Sequence, residues 1–278
     1  MSTQVITPQL RAWIIDQAGS GHSVESILRA MQASGWDEEV ALGALEGTLQ
    51  NHTKEVLTAP KALPDVSTQD GAVRIWAHDR EVTVLVSLKR PRVVVVADFL
   101  SAQECEAMIA LSKPKLARSE TVESTTGASE VHVARTSQGM FFSRGEHALC
   151  ERIEARIAAL LSWPVERGEG LQVLHYSPGA EYKPHYDFFD PEQAGTAAVL
   201  RRGGQRLGTL LMYLNTPEAG GATVFPDAGL AVSAVEGNAV FFGYGQPHAS
   251  TLTLHGGAPV VTGEKWVATK WLRAQRFD

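Results

Sequence analysis

The chain has 278 residues, enough for one large β-rich domain and a small extra module. Its 44% hydrophobic and 20% charged residues are ordinary for a globular protein. A formal net charge of −6 argues against a nucleic-acid binder, and no apolar run nears the roughly 18 residues of a membrane span.

Residues 1–17 lack the basic start and apolar centre of a signal peptide. Cys105 and Cys150 are too few for a disulfide framework and read as reduced, buried thiols. Together these features lead us to expect a cytoplasmic protein.

Residues 7–50 carry apolar positions at helical spacing in three short runs. Thr7 before Pro8, Ser23 and Asp37 are the expected caps, and Gly35 is the expected stop of the second helix. With Gly35-Trp36 before the last helix, the three resemble a ubiquitin-associated-type module over residues 1–55. Two readings stay open: an adaptor for a protein partner, or a packing appendage that binds nothing. Pro60, Pro64 and scattered polar residues mark a linker at 56–74.

The main domain is expected over 75–278, with its core at about 168–275. Val82–Leu88 and Val93–Phe99 read as strands. Ser101 caps an expected helix to about Leu111, and 147–161 form another. After Gly168 short strands follow one another: 171–176, 183–187, 207–214, 223–225, 230–234, 239–243, 250–255 and 266–272. Such a series predicts a mainly β fold with flanking helices, closed as a barrel or a double-sheet jelly roll.

The chemistry begins at His185 and Asp187. Residues i and i+2 of a strand share a face, so an imidazole and a carboxylate leave the sheet side by side. One more histidine completes the two-histidine, one-carboxylate set of non-haem Fe(II) oxygenases, which leaves coordination positions open. His248 and His255 are both candidates. Downstream of His255, Lys265 offers a compact charge for the far carboxylate of an iron-chelating oxoacid. The plainer reading of Lys265 is a surface lysine with a buried stem.

From Val93 to the end the residues resemble the prolyl 4-hydroxylase branch of the 2-oxoglutarate oxygenases. The likeness runs through Asp98-Phe99-Leu100-Ser101, Arg135-Thr136-Ser137 and the stretch from Glu169 to Tyr176. It continues through Tyr182-Lys183-Pro184-His185-Tyr186-Asp187, Leu211-Met212-Tyr213-Leu214-Asn215 and Gly220-Gly221-Ala222-Thr223-Val224-Phe225-Pro226. It closes on His255-Gly256-Gly257-Ala258-Pro259 and Gly263-Glu264-Lys265-Trp266 through Trp271. Ala222 departs from the glutamate common after the paired glycines, which puts a structural contact in doubt and not the iron site.

The resemblance implies a double-stranded β-helix of cupin-like form. It implies Fe(II) on His185, Asp187 and His255, the last preferred over His248 for its spacing to Lys265 and Trp271. It implies 2-oxoglutarate held by Lys265, with Tyr176, Thr209 and Trp271 around it, O2 as co-substrate and ascorbate as reductant. Arg135, Glu169 and Tyr182 match positions near a substrate groove, and Tyr186, Phe188 and Phe189 add aromatic lining or ordinary packing. No protein acid or base is required. The implied reaction hydroxylates C4 of a peptidyl proline, giving succinate and CO2. Other readings kept open are a free amino acid or small metabolite as substrate, a non-catalytic binding module, and a redox-inert metal site.

Overall fold

The structure is a computed structural model that describes residues 4–19, 21–58, 63–68, 71–118, 121–122, 129–130, 136–193 and 195–278. Two compact units emerge, a helical one within residues 1–61 and a β-rich one spanning Ala62–Pro247 and Thr251–Asp278.

The helical unit holds α1 (Pro8–Gly19), α2 (Val24–Ala33) and α3 (Glu38–Thr58). Each start has its polar cap: Thr7 accepts from Leu10 N, Ser23 from Ser26 N and Asp37 from Glu39 N. Gly35, at φ +89°, takes the left-handed conformation that ends α2. Ile14, Ile27, Met31, Ala41, Ala44 and Leu45 form its buried core. The third helix runs to Thr58, past the expected end at 50 and into the segment read as linker. No glycine or proline falls between Asn51 and Thr58, so the backbone ladder continues where polarity suggested a stop.

The second unit opens with β1 (Arg74–Ala77), β2 (Arg80–Leu88) and β3 (Arg92–Ala97). Asp98, at φ +62°, ends β3 two residues before the expected Phe99. α4 (Ala102–Ser112) starts on a full capping box, in which Ser101 and Glu104 each accept the other's backbone N–H. β4 (Ala117–Arg118), β5 (Thr121–Val122), β6 (Ser129–Glu130) and β7 (Gln138–Phe142) lead to α5 (Ala148–Leu161). Then come β8 (Leu171–Tyr176), β9 (Tyr182–His185), α6 (Thr196–Leu200) and β10 (Arg206–Tyr213). β11 (Ala219–Gly220), β12 (Thr223–Phe225), β13 (Leu230–Val232) and β14 (Ala239–Gly243) follow. β15 (His255–Gly257), β16 (Val260–Thr262) and β17 (Lys265–Arg273) complete the chain.

Among the described residues the strands form a nine-stranded sheet, β1-β2-β3-β14-β10-β17-β8-β7-β4, a four-stranded sheet, β13-β12-β15-β9, and the two-stranded pairs β11-β16 and β5-β6. Two cores result. Leu174, Tyr213, Val240, Phe242 and Val267 of the large sheet pack with Phe225 and Val232 of the small one. The large sheet's other face buries Val173, Leu210, Met212, Phe241 and Trp266 against Cys105 and Met108 of α4 and Ile153 and Ile157 of α5. This is the double-stranded β-helix with flanking helices. Strand alternation decides what faces the space between the sheets: β17 is buried throughout, and its two faces send residues to opposite cores.

A buried ion cluster ties the helices together. Arg156 of α5 gives both terminal nitrogens to Glu104 at 2.9 Å and reaches Asp79 at 2.9 and 3.0 Å. Glu104 is also the capping-box carboxylate, so one side chain caps α4 and neutralises α5. The expected strand at 250–255 is replaced by a short 3-10 turn, Ala249–Thr251, with β15 starting at His255. Leu252, at φ +56°, cannot continue an extended strand.

Candidate metal centre and its cavity

His185 ends β9, and His255 begins β15 directly across from it in the antiparallel ladder. Their rings lie 4.4 Å apart between centroids. Asp187 sits just beyond the strand end, and its carboxylate falls between them. His185 Nε2 is 3.5 Å from Asp187 Oδ1, and His255 Nε2 is 3.5 Å from Asp187 Oδ2. One ligand atom from each of the three lies within 4.8 Å of the others. His248 is outside this group, with its Nδ1 bonded to Ser250 Oγ at 2.9 Å.

The tautomers follow from the backbone. His185 Nδ1 lies 2.9 Å from Lys183 O, and His255 Nδ1 lies 3.0 Å from Thr253 O. A carbonyl only accepts, so both Nδ1 atoms carry the proton and both Nε2 atoms present lone pairs to Asp187. Burial pushes His255 down to about 4, against the pull of Asp187, so it is neutral at pH 7. Burial alone would raise the Asp187 carboxyl, yet the Arg206 guanidinium and the Thr209 hydroxyl bond favour its charged form and hold it below the ordinary carboxylate range. Three lone-pair donors facing one point in a buried setting are unfavourable by themselves and fit a cation between them. This donor set, two imidazoles and one carboxylate, is chemically suited to Fe(II).

The cavity beside the three ligands is lined by Gln172, Tyr176, Thr223 and Lys265, and also by Tyr182, Thr209, Thr269 and Trp271. Lys265 pairs across from Tyr176 in the β17–β8 ladder and points to the same side as Val267, Thr269 and Trp271. The residue is 3% exposed, and its ammonium lies 5.5 Å from the Tyr176 ring centroid and 5.8 Å from that of Tyr213. Burial lowers Lys265 to about 8. Gly221, at φ +71°, makes room: a Cβ there would stand 3.2 Å from the lysine's Cδ. His175 turns to the opposite face, where it bonds Glu264 at 2.7 Å and packs at a tilt against Trp266.

Two of the expected residues make contacts that the sequence did not suggest. Thr209 lines the cavity, but its hydroxyl donates to Asp187 Oδ2 at 2.7 Å and meets Tyr244 Oη at 2.7 Å. Glu169 is buried, with its oxygens bonded to Arg206 at 2.6 and 2.9 Å and to Arg273 at 3.1 Å. Tyr182 stacks on His185 with centroids 3.7 Å apart. Arg135 lies outside the described residues. Trp271 lines the cavity, and its buried Nε1–H has no hydrogen-bond partner among the described residues.

The sequence reading missed three residues. Thr223 lines the cavity and accepts a hydrogen bond from Tyr213 Oη at 2.8 Å, which leaves its own proton for a ligand. Arg206 lies between the Trp271 and Phe189 rings, 3.9 and 4.7 Å from their centroids, and bonds the Asp187 carbonyl at 3.3 Å. Tyr244 closes the bond chain to Asp187. Thr223 stood in a quoted motif, while Arg206 and Tyr244 carried no local signal.

The fold and donor set define a 2-oxoglutarate-dependent dioxygenase, with Fe(II), 2-oxoglutarate and O2 as its cofactors and co-substrates. The model of the 2OG-Fe(II) oxygenase superfamily matches residues 171–273. Probable prolyl 4-hydroxylase 3 of Arabidopsis thaliana is 41% identical over 208 residues, covering 67% of this chain and 71% of the relative. Prolyl 4-hydroxylase 1 of the same plant is 38% identical over 227 residues, covering 71% and 77%. A viral collagen prolyl hydroxylase from Paramecium Bursaria Chlorella virus-1, solved as its 2OG complex, superposes with a TM-score of 0.52 at 30% identity. That match covers 66% of this chain and 96% of the viral one. The chain belongs to the prolyl 4-hydroxylase family of the 2OG-Fe(II) oxygenases. No described helix is long and apolar enough to cross a membrane.

Proposed function

We propose that this enzyme hydroxylates C4 of a proline within a peptide or protein, holding Fe(II) on His185, Asp187 and His255. The observation that carries the reading is the convergence of three lone-pair donors beside a cavity that contains one buried lysine. The relatives' names bring in the prolyl substrate, as does the aromatic surface at the site: Tyr182 on His185, and Tyr186 stacked with Phe188 at 4.7 Å.

The residues divide the work. Lys265 holds the far carboxylate of 2-oxoglutarate as a charge-assisted bond inside a low-dielectric pocket. Tyr176 flanks that ammonium, Thr223 donates its free proton to the same carboxylate, and Trp271 has an unused donor nearby. Thr209 acts on the metal side of the cavity. Tyr182 borders the substrate groove, and Glu169 supports it from behind through Arg206. Arg135 is assigned to the groove from the resemblance alone.

Bound Fe(II) supplies O2 activation and C–H cleavage; the surrounding apolar walls exclude water. One oxygen atom of O2 enters the proline ring as hydroxyl and the other enters succinate, with CO2 released. Ascorbate would serve as the reductant that keeps bound iron ferrous. We place the enzyme in the cytoplasm, which agrees with two free buried cysteines. The helical module within 1–55 acts as an adaptor for a protein substrate. Deletion of residues 1–60 is then expected to spare peptide turnover and impair turnover of the whole protein substrate.

The test is succinate formation by Fe(II)-loaded protein exposed to O2, with and without a proline-rich peptide, beside Asp187→Ala. Peptide-stimulated succinate, with hydroxyproline in the peptide and neither in the variant, is the expected result. Turnover stimulated only by a free amino acid would overturn the peptidyl substrate.

A further inference from the structure

We infer that Tyr244 is a positioning residue for the metal centre: through Thr209 it fixes which oxygen of Asp187 remains to face the metal. This rests on the reading of His185, Asp187 and His255 as ligands.

The direction of the hydrogen-bond chain is forced by proton count. The Asp187 carboxylate accepts only. Thr209 has one hydroxyl proton and donates it to Asp187 Oδ2 at 2.7 Å. Its contact with Tyr244 Oη, also 2.7 Å, must therefore be one it receives. The chain runs from Tyr244 to Thr209 to Asp187. Its three members are 1%, 1% and 8% exposed, so it lies in a low-dielectric interior that strengthens and orients such bonds.

The fold sets both ends. Thr209 is paired with Phe242 in the β10–β14 ladder, and Tyr244 follows β14, its backbone N–H held by Leu207 O at 2.9 Å. Phe188 and Phe242 flank the Tyr244 ring at 6.0 and 6.2 Å. Asp187 itself lies beyond the end of β9, where no strand ladder holds it. The Thr209 donor takes one lone pair of Oδ2 and draws charge toward it, which favours Oδ1 as the oxygen offered to the metal. A carboxylate restricted to one oxygen keeps coordination positions open for the co-substrates.

The experiment measures Mn(II) affinity, without turnover or 2-oxoglutarate, from the free-ion signal in electron paramagnetic resonance. Wild type, Tyr244→Phe, Thr209→Val, Thr209→Ser and the Tyr244→Phe/Thr209→Val double variant are compared, with melting temperatures as the folding control. Tyr244→Phe removes one oxygen from a buried ring and is expected to weaken Mn(II) binding about 10-fold, the scale of lost outer-shell partners. Thr209→Ser keeps the hydroxyl and is expected to keep wild-type affinity. The double variant is expected to bind no more weakly than Thr209→Val alone, because both changes cut one chain. Wild-type affinity in folded Tyr244→Phe, or fully additive losses, would overturn the relay alone. Absence of Mn(II) binding by the wild type would overturn the metal centre itself.

Discussion

His255 stands directly across the β9–β15 ladder from His185, and each ring gives its Nδ1 proton to the carbonyl two residues before it. Strand register and two backbone bonds therefore aim both Nε2 lone pairs, with the Tyr182 ring stacked on His185 and the Phe242 ring packed on His255.

Either histidine changed to Ala should remove the metal while sparing the fold, since the ladder bonds are backbone. Metal content after dialysis against Fe(II) is expected to fall to background, and succinate formation with it. Chelation of the wild type should do the same reversibly and lower the melting temperature, because a ligand bound only by the folded state stabilises it. Turnover that survives full chelation would refute this.

Lys265 predicts a pH dependence. Burial lowers it to about 8, so in the free enzyme the ammonium is present below that pH and lost above it. The Michaelis constant for 2-oxoglutarate should therefore rise as pH climbs through about 8 and be flat below it. Lys265→Met should raise that constant about 100-fold at pH 7, the scale of a lost charge-assisted bond of about 3 kcal/mol, and abolish the alkaline rise. A rise that persists in Lys265→Met would assign it to another group.

The parts of the site carried by short sequence spacing were legible. The strand expected over 183–187 stops at His185, so Asp187 reaches the site from just past the strand end and not by sharing a strand face, while strand alternation correctly turned His175 away from the cavity. The inward direction of Lys265 was not decided by alternation, because β17 is buried on both faces and reads as continuous core. What escaped was joined only by tertiary register. Tyr244 meets Thr209 across 35 residues and Arg206 meets Glu169 across 37, so no local pattern marks either pair. In the fold, left-handed residues at Asp98 and Leu252 shortened or displaced strands that composition alone would extend. β1 and β7 were not expected, since neither shows a clean polar–apolar alternation.

Asn215 brackets Lys265. Its amide donates to Glu264 O at 2.8 Å and accepts from Trp266 N at 2.6 Å, gripping the backbone on either side of the lysine. Asn215→Ala should cost about 1–3 kcal/mol of stability for the two lost bonds, read from urea unfolding. The same variant should raise the 2-oxoglutarate Michaelis constant more than it lowers kcat, because it loosens the anchor and not the metal. Equal loss in both parameters would mean that Asn215 acts on the fold alone.

Glu169 offers the sharpest separation of support from contact. Its carboxylate neutralises two buried guanidiniums, Arg206 and Arg273, and burial, which would raise it, is outweighed by them, so its pKa is lowered. A folded-state pKa below the unfolded one adds stability that is full at neutral pH and lost as pH falls through the acid range. Glu169→Gln removes the charge, keeps the shape and leaves both arginines buried and uncompensated, at a cost of about 3–5 kcal/mol. The variant should therefore unfold at lower urea with a weaker acid dependence than the wild type. Arg206 also packs on Trp271 and holds the Asp187 carbonyl, so surviving folded protein should show slower turnover. Wild-type stability with a raised peptide Michaelis constant would instead make Glu169 a direct substrate contact.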